Sequence, residues 1–105
     1  STEKLYRYGG EEFVMLIYAD NNASAGYAGS RLCKNIRDTK IQYHDKIIEI
    51  TATIGISKYK YNLSFEENIE IVDQAMYYGK SAGRDRCIID DGLGHFIDYS
   101  TICDH

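Results

Sequence analysis

Two adjacent carboxylates directly after two glycines are the part of the sequence best suited to chemistry. Glu11 and Glu12 follow Gly9 and Gly10 in the string Arg-Tyr-Gly-Gly-Glu-Glu-Phe at residues 7–13. Carboxylates at a turn are accessible oxygen ligands for a hard cation such as Mg²⁺. Glycine lacks a Cβ atom, so a phosphate or a nucleobase can approach the backbone closely. Hairpin chemistry by itself favours a different interpretation, a solvated acidic turn.

The glycines separate two apolar runs that are rich in strand-forming residues. Residues 5–8 precede them and residues 13–18 follow the acids. Glycine adopts the positive φ angles that a tight turn requires, so residues 5–18 are predicted to form a β-hairpin.

Length and composition restrict the class of protein. The chain has 105 residues, 44% hydrophobic and 27% charged, with a net charge of −4. It is therefore predicted to be one small soluble domain or part of one, without a basic patch for nucleic acid. No apolar run reaches membrane-spanning length, and no signal peptide is recognised. Cys33, Cys87 and Cys103 are odd in number and far apart, which favours reduced thiols in a cytoplasmic setting.

Two amphipathic helices are predicted downstream of the hairpin. The first covers residues 23–37, where Gly26 and Gly29 each weaken the helix by roughly 1 kcal/mol but permit close packing on a sheet. The second begins with a capping box of Ser64 and Glu67. The predicted buried positions are Ala25, Ala28, Leu32 and Ile36 in the first helix and Phe65, Ile69, Val72, Ala75 and Met76 in the second.

Strands are predicted around the second helix. A short strand at residues 41–43 and a turn precede one long strand at residues 47–57, which alternates apolar and polar residues. Gly83 is the predicted helix stop, and residues 86–89 form the last predicted strand. The order of hairpin, helix, hairpin, helix and strand predicts an α+β fold with largely antiparallel pairing over residues 1–90. Residues 91–105 have no period and are predicted to be a tail or linker.

Three stretches, in order, resemble the GGDEF family, the diguanylate cyclases. Residues 7–13 are similar to its signature with Glu in place of Asp. Residues 51–57, Thr-Ala-Thr-Ile-Gly-Ile-Ser, look like the strand before its last helix, and residues 72–86 resemble that helix. The last stretch departs from the family at four positions: Val72 replaces Ala, Met76 replaces Leu, Gly79 replaces Ala and Asp85 replaces Asn. The resemblance covers about residues 5–89.

The resemblance implies a reaction, a cofactor and partners. In the family, two GTP-loaded domains meet face to face as a homodimer. Each 3′-hydroxyl attacks the α-phosphate of the other GTP, giving cyclic di-GMP and two pyrophosphates for bacterial second-messenger signalling. A divalent cation, Mg²⁺ or Mn²⁺, offsets the phosphate charge.

The resemblance also assigns roles to individual residues. Glu11 would be a metal ligand and the candidate base, and Glu12 a second acid of the metal site. Gly9 and Gly10 would give the nucleotide room. Lys80 and Arg84 would contact the terminal phosphates, although a helix end favours such cations with or without a ligand.

A product-inhibition site of the family is matched only in part. Glu3 stands where an aspartate is expected, and its arginine would lie before Ser1. Arg31 matches a second arginine that can contact the dinucleotide, but an ordinary surface residue is the favoured interpretation. Product inhibition therefore stays open.

The family's central first strand, with a metal-binding Asp and the residues that hold guanine, should precede this chain. The chain is accordingly predicted to be the C-terminal portion of a cyclase domain that makes no cyclic di-GMP alone, since positioning dominates phosphoryl transfer. Exposed strand edges are expected to pair or swap between copies. The main alternative is a catalytically silent GGDEF-like module that binds GTP or cyclic di-GMP and regulates a partner domain. A third is an α+β interaction domain with an acidic hairpin.

Overall fold

The computed structural model describes residues 4–9, 12–16 and 19–99. Within them, the predicted elements occur in the predicted order, although one predicted strand is divided and one strand is added, and the α+β class is confirmed. The elements are β1 (Lys4–Gly9), β2 (Glu12–Leu16), α1 (Asn22–Asp38), β3 (Lys40–Tyr43), β4 (Lys46–Glu49), β5 (Thr53–Ile56), α2 (Phe65–Ser81), β6 (Arg86–Asp90) and β7 (Phe96–Asp98). None of the helices in these ranges is long and apolar enough to cross a bilayer.

Strands β1 and β2 form the predicted antiparallel hairpin, a two-stranded sheet of its own. Its register shifts between Arg7 and Gly9, and Gly9 is the partner of Glu12. Two residues, Gly10 and Glu11, connect these strand ends and lie outside the described residues.

A three-stranded sheet in the order β5-β6-β7 forms the centre of the fold. The pairing of β5 with β6 is parallel because α2 carries the chain back between them, whereas β6 and β7 are antiparallel. The prediction of largely antiparallel pairing did not include this parallel crossover. The helices lie on opposite faces of this sheet, as the close approaches at two glycines show.

Gly29 brings α1 against one face, and Gly55 brings α2 against the other. A Cβ atom at Gly29 would lie 2.5 Å from Cys87 Sγ, and one at Gly55 would lie 2.5 Å from the backbone nitrogen of Met76. Side chains of successive strand residues alternate between faces, which is why neighbouring positions of β5 and β6 serve different helices. The buried apolar residues are Ala25, Cys33, Ile69, Ala75, Cys87, Ile88 and Ile89.

The buried face of α1 differs from the predicted one. Ala28 is exposed and Leu32 is 45% exposed, so the predicted stripe is wrong at both positions. The observed face consists of Ala25, Gly26, Gly29, Ser30 and Cys33. Its small residues let the helix approach the sheet so closely that the larger side chains remain outside.

The long strand predicted for residues 47–57 is two strands in different sheets. Strand β4 pairs with β3, and β5 pairs with β6. An alternating pattern continues unchanged across such a switch, so sequence period alone could not reveal it. At the switch, the Cys33 thiol of α1 donates a hydrogen bond to the Ala52 carbonyl at 3.5 Å.

Helix α2 begins with the predicted capping box. Ser64 Oγ accepts a bond from the Glu67 N–H, and Glu67 Oε1 accepts one from the Ser64 N–H, both at 3.0 Å. Of the predicted stripe, Ile69 and Ala75 are buried; Phe65, Val72 and Met76 are half-buried.

The segment predicted as a tail or linker contains a strand. Residues Phe96–Asp98 form β7, and Arg86 Nη1 donates to Asp98 Oδ2 at 3.0 Å across the pair. The sequence pattern missed β7 because a three-residue strand after Gly92 and Gly94 is too short to show a period. Where the domain ends stays a prediction.

Candidate functional site

For the acidic hairpin, the structure describes the backbone pairing of β1 and β2. Gly9 and Glu12 pair at the turn end of the β1–β2 ladder. For Glu12 the structure describes the backbone alone, while Gly10, Glu11 and Glu3 lie outside the described residues. The metal and nucleotide roles of these residues stay predictions.

The two predicted phosphate contacts lie at the C-terminal end of α2. Lys80 is in the last turn and half-buried, and Arg84 is exposed just beyond it. Neither side chain takes part in an ion pair or a hydrogen bond with the described residues. Two cations four residues apart at a helix end, without a carboxylate partner in this part of the chain, are suited to an anion.

The chain leaves α2 through a corner, residues 82–85, that holds Arg84. The Ala82 N–H donates to the Tyr78 carbonyl and the Arg84 N–H to the Gly79 carbonyl, both at 2.9 Å. Gly83 between them has φ +126°. The bond from Arg84 to Gly79 is the 6→1 bond of a Schellman motif, and with the positive φ of Gly83 it confirms Gly83 as the helix stop.

The corner keeps two non-glycine residues in the left-handed region. Arg84 has φ +64° and Asp85 has φ +50°. Such residues cost on the order of 1–3 kcal/mol each and persist where surrounding contacts hold them. Here the Asp85 N–H donates to Thr53 Oγ1 at 3.1 Å, and Arg86 Nε donates to the Arg84 carbonyl at 2.9 Å.

A charge from α1 completes the corner. Arg37 Nε lies 3.4 Å from Asp85 Oδ2 in a partly exposed ion pair. Neither Arg37 Nε nor Asp85 Oδ1 has a hydrogen-bond partner among the described residues, so the pair interacts through charge. Sequence reasoning missed Arg37, since the two residues lie far apart in the chain. Its one signal was Asp85 in place of the asparagine of the family.

The electric field of this pair reaches a buried thiol. Burial first, and the Asp85 charge second, raise the pKa of Cys33 to about 11, while Arg37 acts in the opposite direction. Cys33 is 1% exposed. A thiol with this pKa stays protonated at neutral pH and is structural rather than nucleophilic.

The predicted product site is described only at Arg31, which is exposed on α1. Glu3, its proposed companion, lies outside the described residues. The interpretation of Arg31 as an ordinary surface residue therefore stands beside the product-site prediction, and neither is tested.

The chemistry of the predicted metal ligands fits a hard cation by type. Glu11 and Glu12 would supply carboxylate oxygens, the donors that Mg²⁺ and Mn²⁺ prefer. The pairing of Glu12 with Gly9 puts its backbone at the end of the hairpin, beside the two-residue connection. Among the described residues alone, no group of three His, Cys, Asp or Glu residues could hold a metal.

The sequence was compared with models of known protein families. The sequence model for "Diguanylate cyclase, GGDEF domain" matches residues 1–86. The chain belongs to the GGDEF family. The match contains the acidic hairpin, α2 and the corner with Arg84.

Curated GGDEF relatives carry cyclase names. Diguanylate cyclase DgcZ of Escherichia coli strain K12 is 40% identical over 94 residues, which are 85% of this chain and 30% of the relative. Diguanylate cyclase A of Treponema denticola is 36% identical over 81 residues, 76% of this chain and 22% of the relative. The bifunctional diguanylate cyclase/cyclic di-GMP phosphodiesterase MucR of Pseudomonas aeruginosa is 36% identical over 84 residues, 78% and 12% respectively. The chain thus spans less than a third of these proteins.

Proposed function

We propose that the chain is part of a diguanylate cyclase that condenses two GTP molecules into cyclic di-GMP and releases two pyrophosphates. The observation that carries this proposal is that one GGDEF-matched stretch retains both the acidic hairpin and two cations at the end of α2, which have no carboxylate partner among the described residues. Curated relatives named as diguanylate cyclases support it.

In this proposal the hairpin acids serve the attacking end of the reaction. Each 3′-hydroxyl forms a P–O bond to the α-phosphate of the other GTP, and the bond to pyrophosphate breaks. Glu11 accepts the hydroxyl proton, and Glu12 shares the cation site with it. Glu11 and Glu12 would hold a divalent cation, Mg²⁺ or Mn²⁺, which would offset phosphate charge and favour loss of the hydroxyl proton. Glutamate with an ordinary pKa of about 4.3 is a weak base without that help.

Lys80 and Arg84 serve the leaving end. They bind the terminal phosphates of GTP and orient the leaving pyrophosphate, on which negative charge develops. The hydrogen bonds of the corner hold the backbone of Arg84 in place, so less conformational freedom is lost on binding. Gly9 and Gly10 leave space for the nucleotide.

The chemistry requires two nucleotides, and we propose that two copies of the domain supply them as a homodimer in the cytoplasm. GTP is the substrate and cyclic di-GMP the product. The silent regulatory module is less favoured, because Glu11 and Glu12 are both retained and the similar proteins carry cyclase names.

A product assay tests the proposal. The 105-residue chain and a longer chain that adds any native residues before Ser1 are incubated with GTP and Mg²⁺, and mass spectrometry follows cyclic di-GMP. We expect product from the longer chain and none from the shorter one. Absence of product from the longer chain, with GTP still bound, would favour the silent module.

A further inference from the structure

We propose that Arg37 is a positioning residue for polyphosphate binding, which acts by neutralising Asp85 next to Arg84. The inference rests on the proposed function, because it takes Lys80 and Arg84 as the phosphate contacts. It adds a residue of α1 and a purpose for the Arg37–Asp85 ion pair.

The backbone of the corner is held without the Asp85 carboxylate. The Arg84 N–H is bonded to Gly79, the Arg84 carbonyl to Arg86, and the Asp85 N–H to Thr53. The carboxylate itself pairs with Arg37 through charge, and its Oδ1 has no hydrogen-bond partner in the described residues. The side-chain charge of Asp85 is therefore separable from the shape of the corner.

That charge has the wrong sign for an anion site. Asp85 adjoins Arg84 in the chain, and both follow the C-terminal end of α2, where the helix dipole also disfavours anions. A polyphosphate brought to Lys80 and Arg84 would meet both negative contributions. Arg37, 3.4 Å from the Asp85 carboxylate, offsets the first of them.

The expected size of the effect follows from exposure. The Arg37 and Asp85 side chains are 39% and 27% exposed, so water and salt screen their charges in part. A single partly screened charge near a multiply charged ligand should change its affinity by about threefold to tenfold.

Binding of inorganic tripolyphosphate to the full-length protein tests the inference by calorimetry. Arg37→Ala leaves the Asp85 charge unpaired and should weaken binding about threefold to tenfold. Asp85→Asn retains a side chain that tolerates positive φ and removes the charge. It should bind tripolyphosphate more tightly than wild type, and the double variant should return close to wild type. If the Arg37–Asp85 pair served only to stabilise the fold, Asp85→Asn should bind tripolyphosphate more weakly than wild type.

Matched controls separate charge from folding. Lys40→Ala removes the same charge from the exposed Lys40–Glu49 pair of the β3–β4 hairpin and should leave the affinity unchanged. Arg37→Lys keeps the positive charge, so its tripolyphosphate affinity should be much closer to that of wild type than the affinity of Arg37→Ala is. Thermal unfolding of each variant reports any loss of structure, and raising the salt concentration should shrink the differences.

Several results would overturn the inference. The first is that wild type does not bind tripolyphosphate. The second is that Arg37→Ala binds it as tightly as wild type, and the third is that Asp85→Asn binds it more weakly than wild type. Cyclic di-GMP formation is scored separately. If the protein makes cyclic di-GMP but its tripolyphosphate affinity does not depend on the charges of Arg37 and Asp85, only this inference is rejected. If the protein makes no cyclic di-GMP but the affinities follow the expected order, only the proposed cyclase function is rejected.

Discussion

The backbone N–H of Asp85 donates a 3.1 Å hydrogen bond to the hydroxyl oxygen of Thr53. This bond ties the corner after α2 to the first residue of β5. Strands β5 and β6 pair in parallel and lie directly before and after α2 in the chain. The bond therefore joins the two ends of the β5–α2–β6 unit beside Arg84. The position of a candidate phosphate contact thus depends on Thr53, to which the family resemblance at residues 51–57 assigns no role.

Thr53→Val should destabilise the corner. Valine retains the γ-methyl that lies near Gly79 but removes the acceptor, which leaves a part-buried N–H without its partner. We expect a loss of about 1 kcal/mol in the free energy of unfolding, measured by urea denaturation. Thr51→Val, the same change at an exposed position outside the strands, should stay within about 0.5 kcal/mol of wild type. A Thr53→Val protein as stable as wild type would show that the bond does not contribute.

The two close approaches of the helices to the sheet should differ in tolerance. An alanine at position 55 meets helix backbone, the Met76 nitrogen at 2.5 Å and the Val72 oxygen at 2.8 Å, and backbone of a packed helix cannot shift cheaply. An alanine at position 29 meets side-chain atoms of Cys87 and Ile56, which can rotate or adjust.

Gly55→Ala should therefore lose about 3–5 kcal/mol or fail to fold, and Gly29→Ala about 1–3 kcal/mol. Circular dichroism during thermal unfolding measures both. Equal stability of the two variants would contradict the assignment of α2 backbone to the Gly55 contact.

Local chemistry made much of the fold predictable. The hairpin around the glycines, the capping box of α2 and the stop at Gly83 each depend on a few neighbouring residues, and all three are confirmed. The family followed from three short motifs in order. These features need no knowledge of what lies across the molecule.

Contacts between distant segments were not predictable in this way. The spacing predicts Leu32 as a core residue, but the face of α1 that packs on the sheet contains Gly29 and Cys33. Only small residues fit there, because α1 lies so close to Ile56 and Cys87 of the sheet. The division of residues 47–57 into two strands has the same origin. Arg37 was missed as part of the site, since nothing near it in the sequence indicates Asp85.

The buried thiol of Cys33 should make stability depend on pH in the alkaline range. Its pKa rises from an ordinary 9.0 to about 11 in the fold, with burial as the main cause. The folded state thus holds the proton more tightly than the unfolded state. This contribution is complete below pH 9 and is lost as the pH rises towards 11, by about 2–3 kcal/mol.

The difference between wild type and Cys33→Ala isolates this effect, because every other ionisable group is common to the two proteins. The free-energy difference from urea denaturation should shrink between pH 8 and pH 11, in the range set by the two pKa values. A constant difference across that range would show that the thiol is not desolvated in the fold.

The 105-residue chain alone should self-associate. Strand β5 pairs with β6 on one side, and no described strand pairs with its other edge. Unpaired strand edges are templates for pairing between copies. Sedimentation should show a mass that rises with concentration, and less so for a longer chain that adds any native residues before Ser1. A monomer at every concentration would reject this expectation.

The central claim is that the acidic hairpin catalyses cyclic di-GMP formation, and Glu11→Gln in the full-length protein tests it most directly. Glu70→Gln, the same change at an exposed position on α2, is the control. With GTP and Mg²⁺, mass spectrometry of the product over time should show a loss of about 100-fold or more for Glu11→Gln and wild-type rates for Glu70→Gln. Wild-type rates for Glu11→Gln would contradict the account, because the reaction would then proceed without the carboxylate around which the site is proposed to form.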